Sequence, residues 1–330
     1  MSTNKFPEYP IASNRPYGFY DLLIDDSLAL ELRSLPSHSQ IIDLVTDPDA
    51  IRERLIDAVR RELEATLDGE GAPLSDAECL ELVNGLLRHC RKGRLTDSFI
   101  SSPPQVLTGL QPPGSFLTPL PATGLRSSWL FTSGKGMPSL IAELRAELAA
   151  VDRVDILMSF ITWSGVRKLY DVFESITAVG SDGRPRTKLR ILTTTYCGNT
   201  EIRAVDWLAK LPGAEVKVSL DGRRTRLHAK AWLMQRRTGF GSAYVGSANL
   251  SGAAMAGGLE WTVKFTEAGD ALLFERATAH FETLWNDNEF QSYNPCNLEQ
   301  VEALKRALQA ERGDSDNAAI TWFGIEPKPY

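Results

Sequence analysis

Cysteine is scarce in this 330-residue chain. It has four, and none forms a C-x-x-C pair or stands at metal-ligand spacing from a histidine. That sets aside a disulfide framework and a thiolate metal site, and Cys79, Cys90, Cys197 and Cys296 read as reduced thiols. Long apolar runs are missing too. No stretch reaches the roughly 18 consecutive apolar residues of a membrane-spanning helix, and the opening Met-Ser-Thr-Asn-Lys-Phe-Pro-Glu lacks an apolar signal core. A cytoplasmic chain with no membrane partner is expected. There is no excess of positive charge: the net charge of −6 excludes a uniformly basic nucleic-acid binder. Ser133-Gly-Lys-Gly136 falls short of the G-x-x-x-x-G-K-[ST] spacing of a nucleotide-binding loop.

The positive charge that exists is concentrated. Between Lys217 and Arg237 stand seven basic residues (Lys217, Arg223, Arg224, Arg226, Lys230, Arg236 and Arg237) against one acid, Asp221. This window carries +6 in a chain of net −6, which favours a polyanion-facing surface.

Apolar periodicity divides the chain. Residues 1–100 read as a mostly helical domain, with helices near Gly18–Leu32, over Ala50–Leu67 and over Asp76–Lys92, and a short apolar run at Gln40–Val45. Residues 101–125 carry six prolines and three glycines and read as an extended linker. A βα rhythm follows over 126–290: strands at Trp129–Thr132, Val154–Ile161, Leu189–Thr195, Glu215–Leu220 and Trp261–Thr266, with helices over 138–150, 164–176, 200–211 and 270–286. This predicts an α/β domain with a mixed or largely parallel sheet flanked by helices. In such sheets ligands gather at strand carboxyl ends, which would include Ser159, Thr194 and Thr195 here, but hydroxyls in or after strands are common and these read as structural. Residues 291–330 read as a helix from Leu298 to Arg312, a polar segment, and an extended tail.

The informative stretch runs from Leu227 to Glu260. His228 and Lys230 lie one residue apart, and Gly246-Ser247-Ala248-Asn249 follows the apolar run Ala243-Tyr244-Val245. Side chains alternate faces along a strand. A strand over Leu227–Leu233 therefore points His228 and Lys230 one way and Leu227, Ala229, Ala231 and Leu233 into packing. Ser247 and Asn249 hold the same i, i+2 relation, and Gln235–Gly241 is the expected turn between the two segments. This set suits phosphoryl transfer. A neutral imidazole attacks phosphorus and carries it as phosphohistidine. Ammonium and carboxamide groups donate to the non-bridging oxygens, where negative charge must be held. Side chains that neutralise this charge make a metal unnecessary, and no metal or cofactor is expected.

His228-x-Lys230, Gly246-Ser247-x-Asn249 and Glu260 resemble the phospholipase D superfamily signature. The resemblance implies a phospholipase D-like catalytic domain over 126–290. It implies His228 as the nucleophile, or as the acid in a second copy of the motif. Lys230 and Asn249 would bind phosphate, Ser247 would add a donor, and Glu260 would orient the histidine. The family pattern continues from the Lys through four residues to an Asp. Gln235 stands there in this chain, a departure that slightly favours a non-catalytic platform. Family members usually carry two copies of the motif. Of His38, His89, His228 and His280, only His228 is followed two residues later by Lys. Single-copy members pair two subunits, so a homodimer with one composite site is expected.

Arg223-Arg-Thr-Arg-Leu-His-Ala-Lys-Ala-Trp-Leu233, Tyr244-Val-Gly-Ser-Ala-Asn-Leu-Ser251, Gly258-Leu-Glu-Trp261, Leu192-Thr-Thr-Thr-Tyr196 and the helical N-terminal segment resemble the nuclease-like module at the front of certain bacterial DEAD/DEAH-box helicases. The helicase motifs are absent, so the chain would be a stand-alone version or a fragment. The resemblance implies DNA rather than RNA as partner, a helicase acting with the chain or fused to it, and a place in defence or repair. The expected function is a metal-independent nuclease, with Arg223, Arg224 and Arg226 gripping the nucleic-acid backbone. The alternatives are a non-catalytic dimerising DNA-binding module and a lipid phosphodiesterase. The soluble character and the arginines make the last less attractive.

Overall fold

The computed structural model describes residues 24, 26–33, 46–68, 74–90, 100, 102–103, 105–106, 108, 120–132, 138–222, 224, 226–256 and 260–322. The helix start near Gly18, the run Gln40–Val45, the stop at Gly93, Arg223 and the tail 323–330 lie outside them. The chain divides into two units, Met1–Leu107 and Thr108–Tyr330. Among the described residues no helix is long and apolar enough to cross a membrane.

The first unit contains α1 (Asp26–Arg33), α2 (Pro48–Leu67) and α3 (Asp76–Cys90). Pro48 opens α2, where its missing N–H costs no helical hydrogen bond. At the start of α3, Ser75 donates its N–H and hydroxyl to Glu78 (2.8 and 2.7 Å), and the Glu78 N–H returns to the Ser75 hydroxyl at 3.4 Å. This reciprocal cap satisfies donors that the first helical turn leaves open.

The second unit is built on an eight-stranded mixed sheet. In chain order its elements are β1 (Trp129–Thr132), α4 (Leu140–Leu148), β2 (Arg153–Met158), α5 (Trp163–Val166), α6 (Tyr170–Thr177), β3 (Lys188–Thr194), α7 (Ile202–Ala209), β4 (Ala214–Ser219), β5 (Lys230–Gln235), β6 (Ser242–Gly246), α8 (Gly252–Ala256), β7 (Trp261–Thr266), α9 (Ala271–Trp285), β8 (Phe290–Tyr293) and α10 (Leu298–Trp322). The strand order is β1-β7-β6-β5-β2-β3-β4-β8. Strands β2, β3 and β4 are parallel, and every other pairing is antiparallel.

Both faces of the sheet are apolar, but they are covered unequally. Val154, Ile156, Met158, Leu189, Ile191, Trp232, Met234 and Tyr244 pack on one face against Leu144 and Leu148 of α4, Phe173 of α6, Leu208 of α7, and Leu304 and Leu308 of α10. On the other face Leu157, Leu192, Leu233, Ala243 and Phe265 meet Phe274, Phe281 and Trp285 of α9. Toward β1 that second face is open: Leu130 is 38%, Val245 43%, Val263 46% and Trp261 62% exposed.

Several expectations shift. The strand expected over Leu227–Leu233 starts only at Lys230, so His228 precedes it and Ala229 is exposed rather than packed. The helix expected over 164–176 is broken into α5 and α6. Thr200 does not cap α7. Its hydroxyl donates to the Ser159 and Thr194 carbonyls (3.3 and 3.0 Å), and Glu201 takes the cap position. Helix α10 runs through Gly313 to Trp322 instead of ending at Arg312. Pro121–Gly124, within the expected linker, forms a turn held by the sheet unit: Glu143 accepts the N–H groups of Ala122 and Thr123 (2.9 and 3.0 Å), and Lys264 donates to the Gly124 carbonyl at 2.6 Å.

Candidate active site

Strand direction brings the motif together. Met158 at the end of β2 is in register with Lys230 at the start of β5. Strand β6 ends, and β7 begins, on the same edge, with Gly246 opposite Thr262. The ends of four adjacent strands, β7-β6-β5-β2, therefore surround one point, at the carboxyl end of β2 where a ligand is expected in an open α/β sheet.

The segment after β6 arches across the start of β5. Ser247 stays with β7: its N–H donates to the Trp261 carbonyl at 2.9 Å, and the Trp261 N–H donates to its hydroxyl at 3.1 Å. Asn249 reaches the far side, where its Oδ1 accepts the Phe160 N–H at 3.2 Å, just past β2. Leu250 completes the crossing by bridging to Ile161. The expected common strand face for Ser247 and Asn249 is thus replaced by an arch with one residue anchored at each foot. Gly246 permits it. A Cβ there would stand 2.2 Å from the Trp261 carbonyl oxygen. Any side chain would push β6 and β7 apart where Ser247 must make its pair of bonds.

Under the arch lie His228 and Lys230. Lys230 is buried and His228 exposed. The Lys230 ammonium donates to the His228 carbonyl at 2.7 Å and stands 3.1 and 3.0 Å from the two ring nitrogens. No in-plane position is that close to both nitrogens and clear of the carbon between them. The ammonium therefore lies over the ring face, and both in-plane nitrogen positions stay clear of it. Ser247 donates its hydroxyl to Glu260. The negative charge of Glu260 acts on Lys230. Glu260 is the expected partner of His228, and one of its contacts here is the Ser247 hydroxyl.

Burial, and after it the neighbouring Lys230 charge, push the His228 imidazole below its ordinary value. At neutral pH it is the uncharged form, with a lone pair available. Burial also pushes the Lys230 ammonium below its ordinary range, partly offset by Glu260. A neutral imidazole next to a buried cation and a carboxamide is chemically suited to attack an anionic electrophile.

Phe160 was not foreseen. Its ring meets the His228 ring edge-on at 6.2 Å and 76°, and the Lys230 ammonium lies 5.9 Å from its centre. Nothing in the sequence marks it, because its position depends on where β2 ends. Ser159 beside it donates its N–H and hydroxyl to the Ala229 carbonyl (3.2 and 3.1 Å), while Thr194 and Thr195 are buried.

The arginines are less convergent. Arg224 is exposed and pairs with Glu289 at 3.8 Å. Arg226 is exposed, and its charge acts on Tyr196 and Cys197. Arg223 lies outside the described residues. Gln235, where the family pattern has an Asp, sits at the opposite end of β5 and donates its amide to Asp155 at 2.8 Å. Five residues of strand put it about 16 Å from Lys230.

No family model matches the chain, and no curated protein matches it. The chain is similar in structure to several solved proteins. NucT from Helicobacter pylori aligns with a TM-score of 0.38 and 19% identity, over 51% of this chain and 99% of that one. Nuc from Salmonella typhimurium, a phospholipase D family member, gives 0.38 and 17%, over 51% and 98%. Phosphatidylserine synthase from Haemophilus influenzae gives 0.36 and 12%, over 58% and 46%.

Proposed function

We propose that the chain is a metal-independent phosphodiesterase that cleaves DNA through a phosphohistidine, with one composite site in a homodimer. The observation that carries this reading is the convergence of His228, Lys230, Asn249 and the Ser247–Glu260 pair at four adjoining strand ends, with the imidazole held neutral. In the first step a His228 ring nitrogen forms a bond to phosphorus as the bond to the leaving oxygen breaks. That oxygen takes a proton from the His228 ring of the second copy, which the negative charge of the bound phosphodiester favours in its protonated form. In the second step the same imidazole, now neutral, removes a proton from water as the water oxygen displaces the first histidine. Lys230 and the Asn249 amide group hold the charge on the non-bridging oxygens, and Ser247 keeps Glu260 beside Lys230.

The second copy is required because one chain offers one such histidine. The open face beside the site offers a surface for it. Leu130, Val263 and Val245 are directly opposed across three strands, and Trp261, two residues from Val263, shares their face. A nucleic-acid backbone is favoured as substrate by the exposed Arg224 and Arg226 shortly before His228, and DNA over RNA is proposed on the motif resemblance alone. A helicase acting alongside, in defence or repair, is proposed on the motif resemblance alone.

The test is cleavage of single- and double-stranded DNA, RNA and phospholipid vesicles after chelator treatment, with wild type and His228→Ala in parallel. The expected result is chelator-resistant DNA cleavage that His228→Ala abolishes while DNA binding and dimerisation persist. Wild type that binds DNA and never cuts it would favour a non-catalytic platform. Strict Mg²⁺ dependence would overturn the mechanism.

A further inference from the structure

We propose that Phe160 is a positioning residue for this site, fixing the orientation of the His228 ring and of the Asn249 amide from one point at the end of β2. The inference rests on the reading of the site given above and adds a residue to it.

Three contacts converge on Phe160. Its backbone N–H holds the Asn249 Oδ1 at 3.2 Å, which leaves the Asn249 amide nitrogen, the only donor on that side chain, free to turn toward a phosphate. Its ring stands edge-on to the imidazole at 6.2 Å and 76°, and the Lys230 ammonium lies 5.9 Å from the ring centre. The ring is itself only half-buried, so it forms part of the wall of the site rather than part of the core.

The need for such a wall follows from where His228 sits. It precedes β5, so no ladder hydrogen bonds of its own strand fix its side-chain direction. The lysine over one face of the ring restrains tilt toward that side only. An exposed imidazole otherwise exchanges among staggered rotamers on a picosecond to nanosecond timescale. An edge-on aromatic neighbour removes part of that freedom, because the electropositive ring edge and the π-face prefer this geometry. The same ring excludes water from one side of the imidazole, and burial is the first cause of its lowered proton affinity.

The backbone role cannot be mutated away, but the ring can. Phe160→Leu keeps an apolar side chain and loses the aromatic edge, while Phe160→Tyr restores the ring. The first readout is the His228 imidazole titration by NMR, assigned by comparison with His228→Asn. In Phe160→Leu it should move up toward 6.5, the ordinary value, and Phe160→Tyr should return it to the wild-type position. The second readout is DNA cleavage. Phe160→Leu should lower kcat about threefold to tenfold, the range expected for one aromatic edge contact, and leave the Kd for DNA within about twofold. Phe160→Tyr should recover most of the rate.

The titration needs no catalysis, so the two ideas fail separately. If Phe160→Leu shifts the imidazole while wild type cleaves nothing, the positioning contact stands and the nuclease reading falls. An unmoved imidazole, with wild-type kcat in Phe160→Leu, would overturn the positioning role and leave the nuclease reading intact. Equal loss in both Phe160→Leu and Phe160→Tyr would also overturn it, since the ring would then not be the operative feature.

Discussion

Replacing Lys230 with methionine should inactivate the protein without weakening its fold. Lys230 is buried, and its protein contacts are the His228 carbonyl at 2.7 Å, the face of the His228 ring, the charge of Glu260 and the Phe160 ring. A buried ammonium with so few partners has not recovered the hydration it gave up, which is why its proton affinity is lowered. Methionine has a similar length and no charge to desolvate. The counter-charge Glu260 is only half-buried, so removing the ammonium orphans no fully buried charge and is expected to change stability by no more than about 1 kcal/mol. The orphaned carbonyl belongs to an exposed residue and can be hydrated. In catalysis the balance reverses. Loss of one preorganised donor to a developing phosphorane charge is expected to cost about 2.7–4 kcal/mol, or 10²–10³ in kcat.

The sign of the pH effect is also set. The Lys230 charge contributes to lowering the His228 imidazole, so removing it raises that value. In the proposed mechanism the nucleophile is the neutral form, which is present above its pKa. The acid limb of kcat/KM therefore moves to higher pH in Lys230→Met. The assays are chelator-treated DNA cleavage from pH 4 to 9 and urea unfolding of wild type and variant side by side. A variant that loses more than about 2 kcal/mol of stability would identify Lys230 as a structural residue. One that cleaves at the wild-type rate would remove it from the mechanism, and either result refutes the reasoning.

Val263→Asp should abolish self-association, because it places a charge in the centre of the open apolar row, with a surface effect on folding of only about 0.5 kcal/mol. A variant that still sediments as an active dimer would show that the copies meet elsewhere. Lys264→Met should cost about 3–5 kcal/mol in urea unfolding, because the buried Lys264 offsets Glu147 at 2.8 Å and Glu143 at 3.4 Å. Unchanged stability would mean that the cluster is hydrated. Gln235→Asp should leave cleavage per folded molecule unchanged and cost about 1–3 kcal/mol, since it removes a donor from Asp155 and sets a second carboxylate against it. A large loss of kcat without loss of stability would place Gln235 in the mechanism after all.

What could be read from the sequence depended on whether local pattern or distant partners set the structure. Strands β1 and β7 were bounded correctly, Trp129–Thr132 and Trp261–Thr266: β1 is a short apolar run, and in β7 polar and apolar residues alternate because one face is partly open. The same alternation misled at Leu227–Ala229: Ser159 still holds the Ala229 carbonyl in the β2–β5 register, but the regular strand begins only at Lys230. Strand β8 escaped notice because Phe290–Tyr293 is four residues long and is defined by its edge pairing with β4. The polar stretch after Gly313 carried no apolar periodicity, and its helical backbone continues from α10 without one.

The candidate site was legible as residue types and not as an arrangement. H-x-K and G-S-x-N named four side chains, but a strand model put them on shared faces. The fold instead spreads them over the start of β5, the end of β6 and the loop beyond it, and that is what lets Asn249 reach across β5. Gly246 is part of the motif for a steric reason that spacing alone does not reveal: β7 passes where its Cβ would be. Gln235 shows the converse. Its position in the pattern invites a catalytic explanation, yet it answers to Asp155, which is fully buried between Arg190 at 2.7 Å and Arg153 at 3.1 Å. A carboxylate so placed needs donors on every side, and glutamine supplies one where aspartate would add a like charge. The departure from the family pattern thus belongs to the energetics of a buried ion cluster about 16 Å from Lys230. It is not a mark against chemistry at His228.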